Sequence, residues 1–421
     1  MIGKAQVLLL DGAGDRVPMP VGHPDDPDWQ LALKAHLDRI KREPVLCSCT
    51  TPAPKITVRQ IGAQERLFLA IYPESGPVHD PDCQFWRPNI EQSGRKGYVD
   101  RVVSHDGENL VVSLRHGLNR ASPPADTTEV RTTGLGVGQP RRRQRAMSAL
   151  GLLHLLWEEA RINHWHPRFS DRRWWPAITA LRAAAGHTRI RQRGQEPVPV
   201  ANRCVFVPPY PGEKDIKAQA EVLWTLFQPG RRKRGGDRLM VVGQVSGFWD
   251  RPRAVRVAGL TRLYLNLVPD DFERLYERHT QLAASSDQVV GLFMLETQGV
   301  DRRNNMRCAV IDAGMMACTK ALIPVESRLE HEVACRLIQN DRRFYKPLRY
   351  DAEVDAVLPD FVLLDAGKPY PMEVYGMATP AYEARREEKQ AYYAEQFAGR
   401  CWSWDAVAND PMPAFPARVF R

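Results

Sequence analysis

Cysteine is scarce in this chain. Eight occur in 421 residues, at positions 47, 49, 83, 204, 308, 318, 335 and 401. That density excludes a small scaffold held by disulfides, and the five scattered cysteines read as inert apolar core residues. Long apolar runs are missing too, which excludes a bilayer-spanning helix. The short apolar stretch Val7 to Leu10 reads as a first strand rather than a signal peptide, so a cytoplasmic location without membrane association is expected. No internal repeat occurs, which excludes a repeat array. A Walker lysine motif and a Gly-x-Ser-x-Gly elbow are both absent, and Gly134-Leu-Gly-Val-Gly138 lacks the strand-then-helix setting of a dinucleotide loop. ATPase, α/β-hydrolase and dinucleotide-dependent chemistries therefore receive little weight.

What is present suits a multidomain globular protein. Hydrophobic residues make up 43% and charged residues 26%. The length suggests an α/β multidomain protein. Residues 1–120 read as a β-rich module that opens with a strand and a helix, Asp28 to Lys41. Residues 121–145 read as a basic linker or long hairpin, and 146–200 as a helical region with helices over Ala146 to Ile162 and Trp174 to Ala185. Residues 201–320 have mixed α/β texture, with strands expected over Arg238 to Val245, Ala254 to Leu265, Val289 to Glu296 and Arg307 to Asp312; residues 321–421 form a last α/β domain. The net charge is +9, concentrated in Arg141 to Arg145, Arg189 to Arg193 and Arg231 to Arg234. Basic runs beside glycine suit phosphate-backbone contact, with Arg231, Arg232 and Lys233 as candidates; the bland reading is solvated loop charge. His164-Trp-His166 reads as structural, because no carboxylate or cysteine lies close to it in sequence.

Two constellations carry chemistry. In the first, Cys47-Ser-Cys49 precedes His79-Asp-Pro-Asp-Cys83, with strand-like sequence between the two pairs. Two soft or borderline ligands in each of two turns make a Cys3His set, suited to a tetrahedral structural zinc. In the second, Leu358-Pro-Asp360 opens one apolar strand and Glu373 lies on the next, across an Asp-Ala-Gly-Lys-Pro turn. A hairpin of this size brings both carboxylates to one sheet edge, where hard oxygen donors suit Mg²⁺. Upstream, Ser327-Arg-Leu-Glu330 resembles a capping box, and helical spacing places Glu330 on the apolar side with Val333, Ala334, Leu337 and Ile338. Downstream, a helix over Pro380 to Phe397 carries Tyr382, Arg385, Lys389, Tyr392 and Gln396 on one stripe.

Over residues 321 to 405, the order of a glutamate helix, Pro-Asp on a strand, Glu on the next strand and a following helix resembles the PD-(D/E)XK, or restriction-endonuclease-like, nuclease superfamily. The resemblance implies that Asp360 and Glu373 bind Mg²⁺ or Mn²⁺. It also implies a lysine two residues after the second carboxylate, where this chain has Tyr375. Some members move that lysine to the following helix, which points to Lys389. The set implied is Glu330, Asp360, Glu373 and Lys389 for phosphodiester hydrolysis, with Arg385 on phosphate. The Cys-x-Cys, His-x-x-x-Cys, Leu-Leu-His-Leu-Leu-Trp and Pro-Asp-Phe…Glu-Val-Tyr-Gly features together resemble a bacterial family often encoded on conjugative plasmids and integrating elements. That implies DNA, and other mobile-element proteins, as partners. The rival expectation is a non-catalytic nucleic-acid-binding or scaffold protein that keeps the fold without the chemistry.

Overall fold

The computed structural model describes residues 6–10, 15–22, 26–39, 44–61, 66–72, 75–81, 83–89, 93–98, 101–107, 109–118, 130–132, 141–143, 145–169, 172–227, 238–303, 305–350, 358–376, 380–397, 399–407 and 410–419. The chain is mixed α/β and divides into two compact units, residues 1–92 with 105–110, and residues 93–104 with 111–421. Among the described residues no helix is long and apolar enough to cross a membrane.

The smaller unit is built on a five-stranded antiparallel sheet. Its order is Arg16–Pro20, Gln6–Leu10, Val45–Cys47, Lys55–Ile61, Arg66–Ile71. The helix Pro27–Arg39 buries Trp29, Leu33 and His36. Gln30 on this helix closes the edge strand, donating to the Leu67 carbonyl at 2.7 Å and accepting the Leu67 N–H at 2.8 Å. That satisfies a main-chain pair that an edge strand otherwise leaves open.

In the larger unit, five strands close on themselves. Leu239–Trp249 pairs with Ala254–Val257, which pairs with Leu263–Asn266. Leu263–Asn266 then runs parallel to Met306–Cys318, which pairs with Gln288–Val300, and that strand returns to Leu239–Trp249. The helix Pro269–Ala283 lies between the third and fourth of these strands in sequence and buries Phe272, Leu275 and Leu282. The single strand expected over Ala254 to Leu265 is two strands. They are split at Gly259, whose φ is +78°, and where a Cβ would fall 2.0 Å from the Pro208 carbonyl oxygen. No residue with a side chain fits there.

The helix Ala149–Glu159 packs against this barrel and is buried along most of its length. Ser148 Oγ accepts the Gly151 N–H at 3.0 Å, and Asp312 Oδ2, from the barrel strand, accepts the Ala149 N–H at 3.2 Å. Two of the orphan donors of the first turn are thereby satisfied. Trp157, at the far end, donates Nε1–H to the Leu322 carbonyl at 3.0 Å.

The last part of the chain forms a mixed five-stranded sheet in the order His164–Trp165, Phe344–Tyr345, Phe361–Leu363, Tyr370–Tyr375, Trp402–Asp405. The first four are antiparallel, and Trp402–Asp405 is parallel to Tyr370–Tyr375. The helix Arg328–Gln339 precedes the three central strands, and Pro380–Gln396 connects the parallel pair. His164-Trp165 is thus an edge strand, with the His164 ring stacked on Tyr345 at 5.1 Å.

Candidate metal centre and carboxylate site

The Cys/His cluster is assembled by two turns. Cys47 ends the strand Val45–Cys47, and the chain turns at once: Cys47 donates its N–H to the Pro54 carbonyl at 2.8 Å. His79 follows the 3-10 turn Gly76–Val78, and Cys83 donates its N–H to the Asp80 carbonyl at 2.8 Å, which tightens the second loop. The four donor atoms of Cys47, Cys49, His79 and Cys83 all lie within 4.8 Å of one another. Cys47 Sγ and Cys83 Sγ are 3.5 Å apart; His79 Nδ1 is 3.3 Å from Cys49 Sγ and 3.6 Å from Cys83 Sγ. A tetrahedral zinc ion sets edges of roughly 3.8 Å between sulfurs and roughly 3.5 Å between sulfur and nitrogen. The cluster can hold a metal ion such as zinc. Hydrogen bonding to Cys47, and then burial, push the Cys83 thiol up to about 12, and burial pushes Cys49 up as well. Sulfurs packed this closely resist ionisation unless a cation shares the site.

The carboxylates occupy the C-terminal sheet. Asp360 leads into Phe361–Leu363, paired antiparallel with Tyr370–Tyr375. Phe361, Leu363, Met372 and Val374 lie in the apolar core, so strand alternation sends Glu373 to the opposite face. Asp360 is fixed to the neighbouring strand from both its groups. Its N–H donates to the Met372 carbonyl at 3.0 Å, and its Oδ2 accepts the Val374 N–H at 2.8 Å. Glu373 is 1% exposed. Lys389 Nζ donates to its Oε2 at 2.7 Å, and the Tyr393 hydroxyl donates to its Oε1. Burial, with the Asp360 charge adding, pushes Glu373 up to about 8 against the pull of Lys389.

Glu330 stands on the helix Arg328–Gln339 with Val333, Ala334 and Leu337, and is buried as they are. Ser327 Oγ accepts the Glu330 N–H at 3.1 Å, while Glu330 Oε2 accepts the N–H of Glu326 at 3.0 Å, a capping box displaced by one residue. Its cation is Lys346. Lys346 Nζ lies 2.8 Å from Glu330 Oε2, 3.5 Å from Glu326 Oε1 and 5.4 Å from the centre of the Phe361 ring. Burial pushes Glu330 up to about 7, with Asp360 and Glu326 adding and Lys346 opposing. The Asp360 charge therefore acts on both Glu330 and Glu373, although the oxygens of the three acids do not gather within 4.8 Å as the donors of the Cys/His cluster do.

Lys346 and Tyr393 are the site residues that sequence reasoning missed. Tyr393 lies four residues beyond Lys389, a spacing that shares a helix face just as the three-residue step to Tyr392 does, and it is Tyr393 that turns inward to Glu373. Lys346 offers only the signal of a lysine continuing an apolar strand. Tyr375, in the position of the expected lysine, is 3% exposed and lies beneath the Arg386 guanidinium, 4.2 Å from its ring centre; Arg386 also pairs with Asp405 at 2.7 Å. Arg231, Arg232 and Lys233 lie outside the described residues, as does the side chain of Arg385. In the Arg189 to Arg193 run, Arg191 is engaged by Ser104 Oγ at 2.7 Å and Ser113 Oγ at 3.1 Å. A further donor group, also not anticipated, is Asp287, His331 and Cys335, where His331 Nε2 lies 2.9 Å from Asp287 Oδ2.

Fold and sites together define a mixed α/β protein with a Cys3His cluster able to hold a metal ion and a separate site of buried acids, in which Glu330 and Glu373 each pair with a lysine. The chain belongs to the family described as "Protein of unknown function (DUF1173)", whose model matches residues 22–407. No curated protein and no solved structure matches it.

Proposed function

We propose that this protein is a metal-dependent nuclease of the PD-(D/E)XK type that hydrolyses phosphodiester bonds in DNA, with zinc as a structural ion at Cys47, Cys49, His79 and Cys83. The observation that carries the reading is Lys389 Nζ, 2.7 Å from Glu373 Oε2 on the strand paired with that of Asp360. It supplies, from the following helix, the cation that Tyr375 cannot. Asp360 and Glu373 would hold Mg²⁺ or Mn²⁺, which when bound supplies a Lewis acid for the phosphate and a more acidic water. Lys389 then orients the attacking water and balances charge on the phosphate, with Glu373 held in one rotamer by Tyr393. The mobile-element setting rests on the resemblance of the whole chain to plasmid-encoded proteins.

The test is cleavage of single- and double-stranded DNA and RNA by the full-length protein with Mg²⁺ or Mn²⁺. Asp360→Ala is expected to abolish cleavage. Lys389→Ala is expected to cost on the order of 10²-fold or more in turnover with much less effect on binding, since its role belongs to the transition state. Absence of metal-dependent cleavage on all substrates would overturn the catalytic reading. One observation favours the rival, a non-catalytic nucleic-acid-binding scaffold. Glu330 and Glu373 already have lysine partners, and Tyr375 is pinned beneath Arg386. Salt-dependent binding without cleavage is the result that reading expects.

A further inference from the structure

The barrel of the larger unit carries a row of outward side chains that neither site uses. Its register sets Gly247 against Arg256, Tyr264 against Arg307, and Arg307 against Gly299. The pairing of Ala254 with Asn266 and Val255 with Leu265 runs on to bring Arg256 beside Tyr264. Val255, Val257, Leu263, Leu265, Met306 and Cys308 are buried, so alternation turns Arg256, Tyr264 and Arg307 outward. Trp249 joins them, 38% exposed, with the Arg256 guanidinium 5.3 Å from its ring centre and the Tyr264 ring 5.6 Å away.

The two ends of the row are bare backbone. Gly247 and Gly299 have φ of +135° and +117°, each stands at an irregularity in its ladder, and a Cβ at either would meet nothing within 4 Å. The result is a shallow floor with two aromatic rings and two guanidinium groups standing in it. Arg251 follows Trp249 beyond one end of these strands, and Arg302 follows Val300 beyond the other. Arg251, Arg256, Arg302 and Arg307 pair with no carboxylate among the described residues. The nearby Asp301 carboxylate is turned onto its own loop, accepting the Arg303 N–H at 2.8 Å, the Asn305 N–H at 2.8 Å and Asn305 Nδ2–H at 2.9 Å.

We propose that this face binds single-stranded nucleic acid, with bases stacked on Trp249 and Tyr264 and phosphates on the arginines. Small five-stranded barrels offer the face of their second and third strands, flanked by the loops that join strands one to two and four to five, to oligonucleotides and oligosaccharides. Charge decides between the two ligands, because guanidinium groups with no carboxylate partner among the described residues suit a polyanion. The rings decide strandedness, because stacking needs unpaired bases. The inference does not depend on the nuclease reading, since none of its residues belongs to the carboxylate site.

The test uses the full-length Asp360→Ala protein, so that nothing is cut, and fluorescence anisotropy with labelled oligo(dT), oligo(rU) and a duplex. Both single strands should bind more tightly than the duplex, and the tighter of the two names DNA or RNA. Trp249→Ala with Tyr264→Ala should weaken binding by about tenfold or more, and Trp249→Phe should retain most of it. Arg256→Glu with Arg307→Glu should flatten the salt dependence by roughly 1.4 in the log–log slope, from the loss of two phosphate contacts. Should the aromatic double variant fail to fold, Arg251→Glu with Arg302→Glu, confined to the loops, carries the same test of affinity and salt slope. Affinity unchanged by either pair, or a duplex bound as tightly as the single strands, overturns the proposal. Because cleavage is measured separately in the wild-type protein, a failed binding face and a failed nuclease site give different results.

Discussion

Lys346 is 2% exposed and its ammonium holds two acids, Glu330 and Glu326, beside the Phe361 ring. Truncating one member of a buried ion pair leaves a charge without compensation, so Lys346→Met should cost about 3–5 kcal/mol in a denaturant titration. Adding Glu330→Gln should recover much of the loss, and a double variant no better than the single would show that the lysine acts otherwise. The same scale governs the metal. Cys83→Ser removes one of four donors, and metal analysis of the purified variant should show the loss of about one equivalent of zinc relative to wild type. Legibility at this scale depended on distance along the chain. Cys47, Cys49, His79 and Cys83 announced themselves because each pair sits within one turn. Asp360 and Glu373 were legible because a short hairpin joins them. Lys346 was not, because nothing local says that its ammonium reaches back to Glu330.

Helices and strands show the same division. The helices Ala149–Glu159 and Trp174–His187 lie within a few residues of the spans the sequence suggests, Ala146 to Ile162 and Trp174 to Ala185, because burying one face sets the pattern of a helix. The two longest barrel strands run further than their sequences suggest, Gln288–Val300 and Met306–Cys318, because polar and small residues such as Thr297 and Gly314 interrupt the apolar pattern while the ladder continues. Gly314 has a reason to be small. A Cβ there would fall 2.3 Å from the main-chain nitrogen of Leu150 and 2.4 Å from its Cα. The obstacle is helix backbone, which cannot rotate aside, so Gly314→Ala should destabilise the protein by about 1–3 kcal/mol through displacement of the helix Ala149–Glu159. A thermal melt of the variant indistinguishable from wild type would show that the helix can shift freely. Barrel closure itself had no sequence signal: the pairing of Leu239–Trp249 with Gln288–Val300 joins strands separated by two others and a helix.

For the molecule as a whole, the Cys/His cluster lies entirely in the smaller of the two compact units, and the carboxylate site in the larger. A strong chelator should therefore lower the unfolding temperature of the smaller unit, while far-UV signal from the larger unit survives to its own transition. One transition, unaffected by chelation, would argue against a structural ion. The C-terminal sheet has a different dependence. Its outer strand, His164–Trp165, comes from far upstream, and Lys346 donates its main-chain N–H to the Asn163 carbonyl at 2.9 Å beside it. The C-terminal α/β region is therefore not a cassette. A fragment spanning 321–421 would expose the open side of Phe344–Tyr345, a row of unsatisfied donors and acceptors inviting intermolecular pairing. Such a fragment should self-associate, and a synthetic peptide covering the 160–168 segment should restore monodispersity. In folding terms, the strand emerges early in synthesis and waits for a partner made some 180 residues later, a delay that a co-translational chaperone would have to cover.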